Sequence, residues 1–279
     1  MTDPSGYADY PFTAEFYDHF APYKERTDLA FFVQAAQESS GPVLEVGCGT
    51  GRVLIPIARA GIEITGLDLA ESMLAVCRER LAAEPPQVQS RVRLVQADMR
   101  NFDLTSQGAT RFGSALHLPP YKLVPLPFRP FQHLLTVEDQ LACLACLHRH
   151  LAADGRLVLD LFNPSFAFLA SDTLGQELGQ EPEFAMPDGR RITRRSKIVA
   201  RDYFTQVNQV ELIYYVTHPD GRTERLVHPF PMRYLFRYEA EHLLARAGFA
   251  VEQLYADYDR SPYGAKYPGE LIFVAKKVL

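Results

Sequence analysis

Val43-Leu-Glu-Val-Gly-Cys-Gly-Thr-Gly-Arg52 is an apolar strand that runs straight into a glycine-dense turn. Gly47, Gly49 and Gly51 alternate where the backbone has to reverse, and glycine takes positive φ without steric cost. A turn without side chains also lets a ligand press against the backbone. The next segment, 52–60, reads as a helix stopped by Gly61. Strand, turn and helix start bring backbone N–H groups and the positive end of a helix dipole to one point, which suits a polar ligand.

The spacing narrows the ligand. In the dinucleotide pattern G-x-G-x-x-G the third glycine falls at the position that Arg52 holds here. The third glycine instead arrives one residue early, at Gly51, which argues against a nicotinamide-dependent oxidoreductase. Asp68 closes the next apolar run, 62–67, where a carboxylate accepts hydrogen bonds from ribose hydroxyls. On its own Asp68 also reads as a cap for the helix that begins at Glu71. A third strand, 92–96, ends in Ala97-Asp98-Met99.

Taken together, E-x-G-x-G-x-G from Glu45 to Gly51, a strand-end Asp68 and Ala97-Asp98-Met99, in that order, resemble the class I S-adenosylmethionine-dependent methyltransferases. The resemblance covers about 40–165 and 238–277. It implies an α/β fold with a doubly wound, seven-stranded, mostly parallel sheet whose last strand runs antiparallel beside the sixth. It also implies S-adenosylmethionine as methyl donor, with Gly47, Gly49 and Gly51 near its methionine part and Glu45 near its amino end. Asp68 would then take the ribose hydroxyls, Leu69 the adenine face, and Asp98 with the Met99 backbone the adenine edge. Arg52 reads either as part of that site or as a solvated first-turn residue.

Strands and helices alternate from 28–37 (helix) through 43–47, 52–60, 62–67, 71–83 and 92–96, the pattern of parallel strands joined by crossovers. The fourth strand is expected at 121–126, with 108–120 as an inserted loop. The competing strand, 111–118, ends in Pro119-Pro120-Tyr121, but Leu118 stands where base-amine methyltransferases carry an oxygen-bearing side chain. A helix at 138–151 and a strand at 156–162 follow, separated by the turn signal Asp154-Gly155. From 190 the texture becomes β-branched and aromatic, with strands expected at 192–200, 203–217 and 223–234 and a hairpin at His218-Pro-Asp-Gly-Arg222. A helix at 239–247, ended by Gly248, and strands at 250–254 and 271–275 restore the α/β order. The expected organisation is an aromatic lead-in (1–40), a donor-binding α/β unit (41–165 and 238–279) and an antiparallel β insertion (166–237). That insertion is read as a lid over the strand ends or as a homodimer interface.

The 279 residues carry a net charge of −5, with 47% hydrophobic and 23% charged residues, an ordinary globular composition. An acidic total argues against a duplex nucleic-acid binder, although Arg190-Arg-Ile-Thr-Arg-Arg-Ser-Lys197 is a local basic stretch, read as the solvated face of a strand. The N-terminus lacks the features of a signal peptide, no apolar run reaches membrane-spanning length, and the four cysteines suit reduced thiols, so a cytoplasmic location and no membrane partner are expected. Cys143, Cys146, His148 and His150 lie on one expected helix without a second ligand pair, so the cysteines read as buried small hydrophobes and no metal is expected.

Methyl transfer from a sulfonium needs alignment and dryness more than a catalytic triad. The acceptor loses a proton, and His133 in Phe128-Arg-Pro-Phe-Gln-His-Leu134 is the candidate base, or else a packing residue. Asn163, Arg233 and Tyr234 are candidate acceptor contacts, and Tyr17 and Tyr23 either close over the donor or pack in the core. The expected reaction is methylation of an amine or hydroxyl on a small molecule. The alternatives are a nucleic-acid or protein methyltransferase and a non-catalytic S-adenosylmethionine-binding protein.

Overall fold

The computed structural model describes residues 5–20, 26–104 and 120–278. Strand β1 (Val43–Val46) is buried along its whole length. Side chains alternate across a strand, so Val43 joins the apolar cluster of Phe32 and Ile57, while Leu44 and Val46 join that of Leu144 and Leu147. A strand buried on both faces belongs inside a parallel sheet. Accordingly, β2 (Ile64–Asp68) and β4 (Tyr121–Leu126) flank β1 in parallel, and β3 (Val92–Gln96) and β5 (Leu151–Leu161) extend the sheet on either side.

The chain then leaves this sheet for β6 (Phe184–Ala185), β7 (Arg191–Asp202), β8 (Val207–Thr217) and β9 (Thr223–Arg233), which form a separate four-stranded antiparallel sheet. It returns with β10 (Phe249–Tyr255) and β11 (Leu271–Lys277), giving the main-sheet order β3-β2-β1-β4-β5-β11-β10. β11 runs antiparallel to both neighbours. The doubly wound seven-stranded sheet with an antiparallel insertion is thus as the sequence implied.

Eight α-helices of the described residues complete the fold: α1 (Phe12–Phe16), α2 (Asp28–Ser39), α3 (Leu54–Arg59), α4 (Glu71–Ala82), α5 (Pro86–Gln89), α6 (Val137–His150), α7 (Phe166–Leu169) and α8 (Arg237–Arg246). Helix α6 starts where Thr136 accepts from Asp139 N at 3.1 Å, and its apolar stripe buries Cys143, Leu144, Cys146 and Leu147. All four cysteines are buried and free. His150 ends α6, with Nδ1 2.7 Å from Cys146 O while Nε2 accepts from Leu104 N at 2.8 Å.

Three expectations need correcting. Asp154-Gly155 does not separate helix from strand; it lies inside β5, where the pairing to β4 skips from Tyr121↔Leu151 to Leu123↔Arg156. The residues 203–206 turn between β7 and β8, because the Asp202 carboxylate accepts from Phe204 N and Thr205 N and ends the strand. The basic stretch is not a purely solvated face: Arg194 is 4% exposed, pairs with Glu181 at 2.5 Å and lies over the Phe20 ring at 4.2 Å. The expected loop at 108–120, the competing strand 111–118 and Tyr23 fall outside the described residues, apart from Pro120.

The lead-in packs on the second sheet. Phe16 and Phe20 share a cluster with Tyr214, Ile192 and Met186, and Phe12 adds an edge-on contact to Tyr214 at 5.4 Å. Asp18 then ties the lead-in to the glycine turn, accepting from Thr50 Oγ1 at 2.9 Å and pairing with Arg80 at 2.7 Å.

Candidate donor and acceptor cavity

In open α/β sheets ligands bind beyond the strand C-termini where the strand order reverses, which here is between β1 and β4. A cavity of about 240 Å³ lies there. Its floor is Glu45 from β1, Leu67 and Asp68 from β2, and the residues 97–99 after β3. Its other walls come from Phe128 and His133 after β4, Tyr7 and Tyr17 of the lead-in, and Leu212, Phe230 and Met232 of the second sheet.

Positive φ bends the glycine turn at each of its glycines: 75° at Gly47, 54° at Gly49 and 81° at Gly51. Their surroundings differ. A Cβ on Gly49 would meet nothing within 4 Å, whereas one on Gly47 would stand 2.7 Å from Pro130 and one on Gly51 2.6 Å from Cys77 Sγ. Gly49 therefore leaves open space above the turn, Gly47 admits the segment that carries His133, and Gly51 seats the turn on α4. Gly47 and Gly49 line the cavity; Gly51 is outside its lining.

Asp68 braces the turn. Its Oδ2 accepts from Gly49 N at 2.8 Å and its Oδ1 from Ala70 N at 2.9 Å, where α4 begins. Glu45 is 2% exposed, and its Oε2 has no hydrogen-bond partner among the described residues. Burial pushes its carboxyl well above the ordinary range; Arg52 pulls against that, while Asp28 and Asp68 add to it. Arg52 lines the cavity too, but its guanidinium is spent on Asp28, with both terminal nitrogens at 2.7 Å. The picture of Arg52 as a solvated first-turn residue is overturned, since its side chain is only 14% exposed.

Asp98 and Met99 line the cavity together with Leu69. The Asp98 carboxylate is held by Arg100 through contacts of 2.6 to 3.1 Å and by the Arg100 backbone N–H at 2.8 Å. Burial would raise its pKa, but those hydrogen bonds prevail and hold it below the usual carboxylate value. On the opposite side, Phe128 and Arg129 adopt left-handed backbone at φ 62° and 70°. Such strain persists only where the surroundings over-determine it. Here Asp160 Oδ2 accepts from Phe128 N at 3.0 Å, Arg129 pairs with Glu270 at 2.7 Å, and the Arg26 guanidinium lies 4.7 Å over the Phe128 ring. The turn delivers His133 to the cavity, its ring 5.4 Å from Phe230.

Three residues singled out from sequence are outside the cavity lining. Asn163 donates to Pro268 O, Arg233 donates to Leu135 O at 3.1 Å and pairs with Glu239 at 2.9 Å, and Tyr234 is 3% exposed with its ring against Phe236. Along β9 the period of two places Phe230 and Met232 on the cavity face and Arg233 on the other. That alternation is visible in His228-Pro-Phe-Pro-Met-Arg233 and was the signal for the apolar wall that sequence reading missed. Gln132 was also missed: fully buried, it donates to Arg233 O at 2.9 Å and accepts from Phe162 N at 2.7 Å, clamping the end of β9 to the end of β5.

A family model described as a methyltransferase domain matches residues 43–155, the span that holds the glycine turn, Asp68 and Asp98. That span is a class I S-adenosylmethionine-dependent methyltransferase domain. Its donor is S-adenosylmethionine, and the cavity suits that compound: a buried carboxyl lacking a partner faces it, and the backbone at Gly49 opens onto it. The methyltransferase CcbJ from Streptomyces caelestis superposes with a TM-score of 0.75 at 24% identity, over 100% of both chains. S-Adenosylmethionine-bound CalS10 from Micromonospora echinaspora, an amino pentose methyltransferase of calicheamicin biosynthesis, gives a TM-score of 0.65 at 25% identity over 96% of each chain. In sequence, the dTDP-3-amino-3,4,6-trideoxy-alpha-D-glucopyranose N,N-dimethyltransferase of Streptomyces venezuelae is 26% identical over 82% of this methyltransferase and 84% of its own length. Among the described residues no helix is long and apolar enough to cross a membrane.

Proposed function

We propose that this methyltransferase methylates the amine of a small molecule, of the amino-sugar kind or a related amine. The observation that carries the reading is a cavity lined both by Glu45, Gly49 and Asp68 of the main sheet and its glycine turn and by His133, Phe230 and Met232. The names of the relatives, an amino pentose methyltransferase and an amino-sugar N,N-dimethyltransferase, support an amine acceptor.

When bound, S-adenosylmethionine supplies a methyl group on a cationic sulfur, a donor that needs no further activation for direct displacement. In this reading Glu45 holds the amino end of the donor, Gly47 and Gly49 admit its methionine part, and Asp68 takes its ribose hydroxyls. Leu69 packs on the adenine, and the residues 98–99 meet its edge. Tyr7, Tyr17 and the second sheet act as a lid that excludes water, and the imidazole of His133 takes the proton that the acceptor amine loses. Orientation of this kind lowers a barrier by on the order of 7–11 kcal/mol.

The test is transfer from methyl-labelled S-adenosylmethionine to a panel of amino sugars and primary amines, with RNA and cell protein alongside. Label on the small amines is expected, and label confined to macromolecules would overturn the reading. His133→Asn is expected to lower kcat by 10²–10⁴-fold, the usual share of a general base, and to remove the acidic limb of the pH–rate profile. An unchanged profile would take the base role away from His133.

A further inference from the structure

Resting on the small-amine reading above, we infer that the acceptor is a phosphate-free amine with an apolar body, not a nucleoside-diphosphate-linked sugar. The second sheet meets the cavity through Leu212, Phe230 and Met232, and Phe128 faces it from the segment after β4. All four are apolar, and none offers a donor to a phosphate oxygen. An acceptor with an apolar or aromatic body removes its own surface and theirs from water, whereas a diphosphate placed there loses its hydration without replacement.

The charges around the cavity lead the same way. Among the described residues two arginines line it, Arg52 and Arg100, and both are committed. Arg52 holds Asp28 with both terminal nitrogens, and Arg100 holds Asp98 while also reaching Asp139 at 3.3 Å. Turning Arg52 toward a phosphate would leave the fully buried Asp28 with Arg26 as its one guanidinium partner, and turning Arg100 would leave Asp98, 8% exposed, with a backbone N–H in place of its ion pair. Besides Asp98, the carboxyl groups of Glu45 and Asp68 face the same space. The described carboxyl groups on this lining outnumber the described cations, and both cations are already paired, so nothing charged there attracts a phosphate dianion.

This separates the methyltransferase from its Streptomyces venezuelae relative, whose name specifies a dTDP-linked amino sugar. The apolar wall and the two ion-paired arginines of this chain carry the inference.

The experiment is calorimetric titration of protein loaded with S-adenosylhomocysteine. The probes are an aryl glycoside of 3-amino-3,6-dideoxyglucose and the dTDP-linked form of the same sugar. The aryl glycoside is expected to bind at least about tenfold more tightly, a difference well within calorimetric reach. Met232→Lys, which places a cation in the apolar wall, is expected to narrow the gap by raising affinity for the dTDP-linked probe about tenfold. Equal or tighter binding of the dTDP-linked probe by the unaltered protein, or no binding of the aryl glycoside, would overturn the inference. Methylation is read in a separate arm. An aryl glycoside that binds and is never methylated supports this binding preference and counts against the transfer reading alone.

Discussion

Arg52 Nη1 and Nη2 each meet one oxygen of Asp28 at 2.7 Å, which fixes the residue closing the glycine turn to the first turn of α2. Arg26 adds a third charged contact, with Nε 2.8 Å from Asp28 Oδ2, so one buried carboxylate serves two guanidinium groups. Removing it leaves the buried Arg52 without its bonded carboxylate and Arg26 with Asp160 and Tyr258 alone. Asp28→Ala is therefore expected to cost about 3–5 kcal/mol of stability, read as a shifted urea midpoint. A midpoint within about 0.5 kcal/mol of the parent would show that the pair does not hold the turn.

Glu45 has the opposite problem, a buried carboxyl without a bonded cation. Its folded pKa lies well above the ordinary 4.5, chiefly through burial. The folded protein thus keeps a proton that the unfolded chain releases, and stability falls as pH rises from about 4.5 toward the folded value. Glu45→Gln should remove that slope and stabilise the protein at neutral pH. S-Adenosylhomocysteine carries an ammonium group, and its binding next to Glu45 should expel the proton. The binding enthalpy is then expected to vary with the ionisation heat of the buffer in the parent and not in Glu45→Gln. Buffer-independent heats in the parent would place the ammonium elsewhere.

His150 predicts a second pH dependence, with the reverse sign. Burial lowers its pKa below the ordinary 6.5, outweighing the hydrogen bond to Cys146 O that raises it. Nε2 accepts from Leu104 N, so the neutral ring with its proton on Nδ1 fits both contacts. Stability is fully present above about pH 6.5 and falls as pH drops through the folded pKa. Thermal melts of the parent and of His150→Gln should converge as the medium is acidified from pH 7. Parallel curves would remove His150 from the account.

Gly49 and Gly51 should separate binding from folding. At Gly49 an alanine finds open space and costs only the left-handed backbone, about 1–2 kcal/mol. Its methyl group stands over the turn, and loss of S-adenosylhomocysteine affinity is expected in a folded protein. At Gly51 the methyl group would stand 2.6 Å from Cys77 Sγ, so Gly51→Ala should lose stability first. Equal effects of the two substitutions on melting temperature would contradict this division.

The sequence made much of this legible because local pattern and tertiary role coincide in β1. Four residues buried on both faces, then glycines at positive φ, leave little freedom, and the strands that follow fall into alternation. Asp68 and Asp98 were readable because a strand end is defined by its own strand. Asn163, Arg233 and Tyr234 were chosen by proximity in chain to strand ends, and that criterion carries no direction. The side chains of Arg233 and Asn163 are directed instead by Glu239 and by the carbonyls of Leu135 and Pro268, partners remote in sequence or on another element. The ion pairs of Arg52 and Arg100 were invisible for a related reason: a charged residue in a sequence shows its sign but not whether the charge is already taken.

Gln132 gives the second sheet an unusual standing. One amide side chain bonds the carbonyl that ends β9 and the N–H that follows β5, so the two sheets meet at a fixed point close to His133. The β8–β9 ladder runs unbroken from Val207↔Arg233 to Thr217↔Thr223, and its backbone pairing does not depend on what Leu212, Phe230 or Met232 carry as side chains. Substitutions at those three positions therefore change what the acceptor meets while the backbone pairing of the second sheet stays in place.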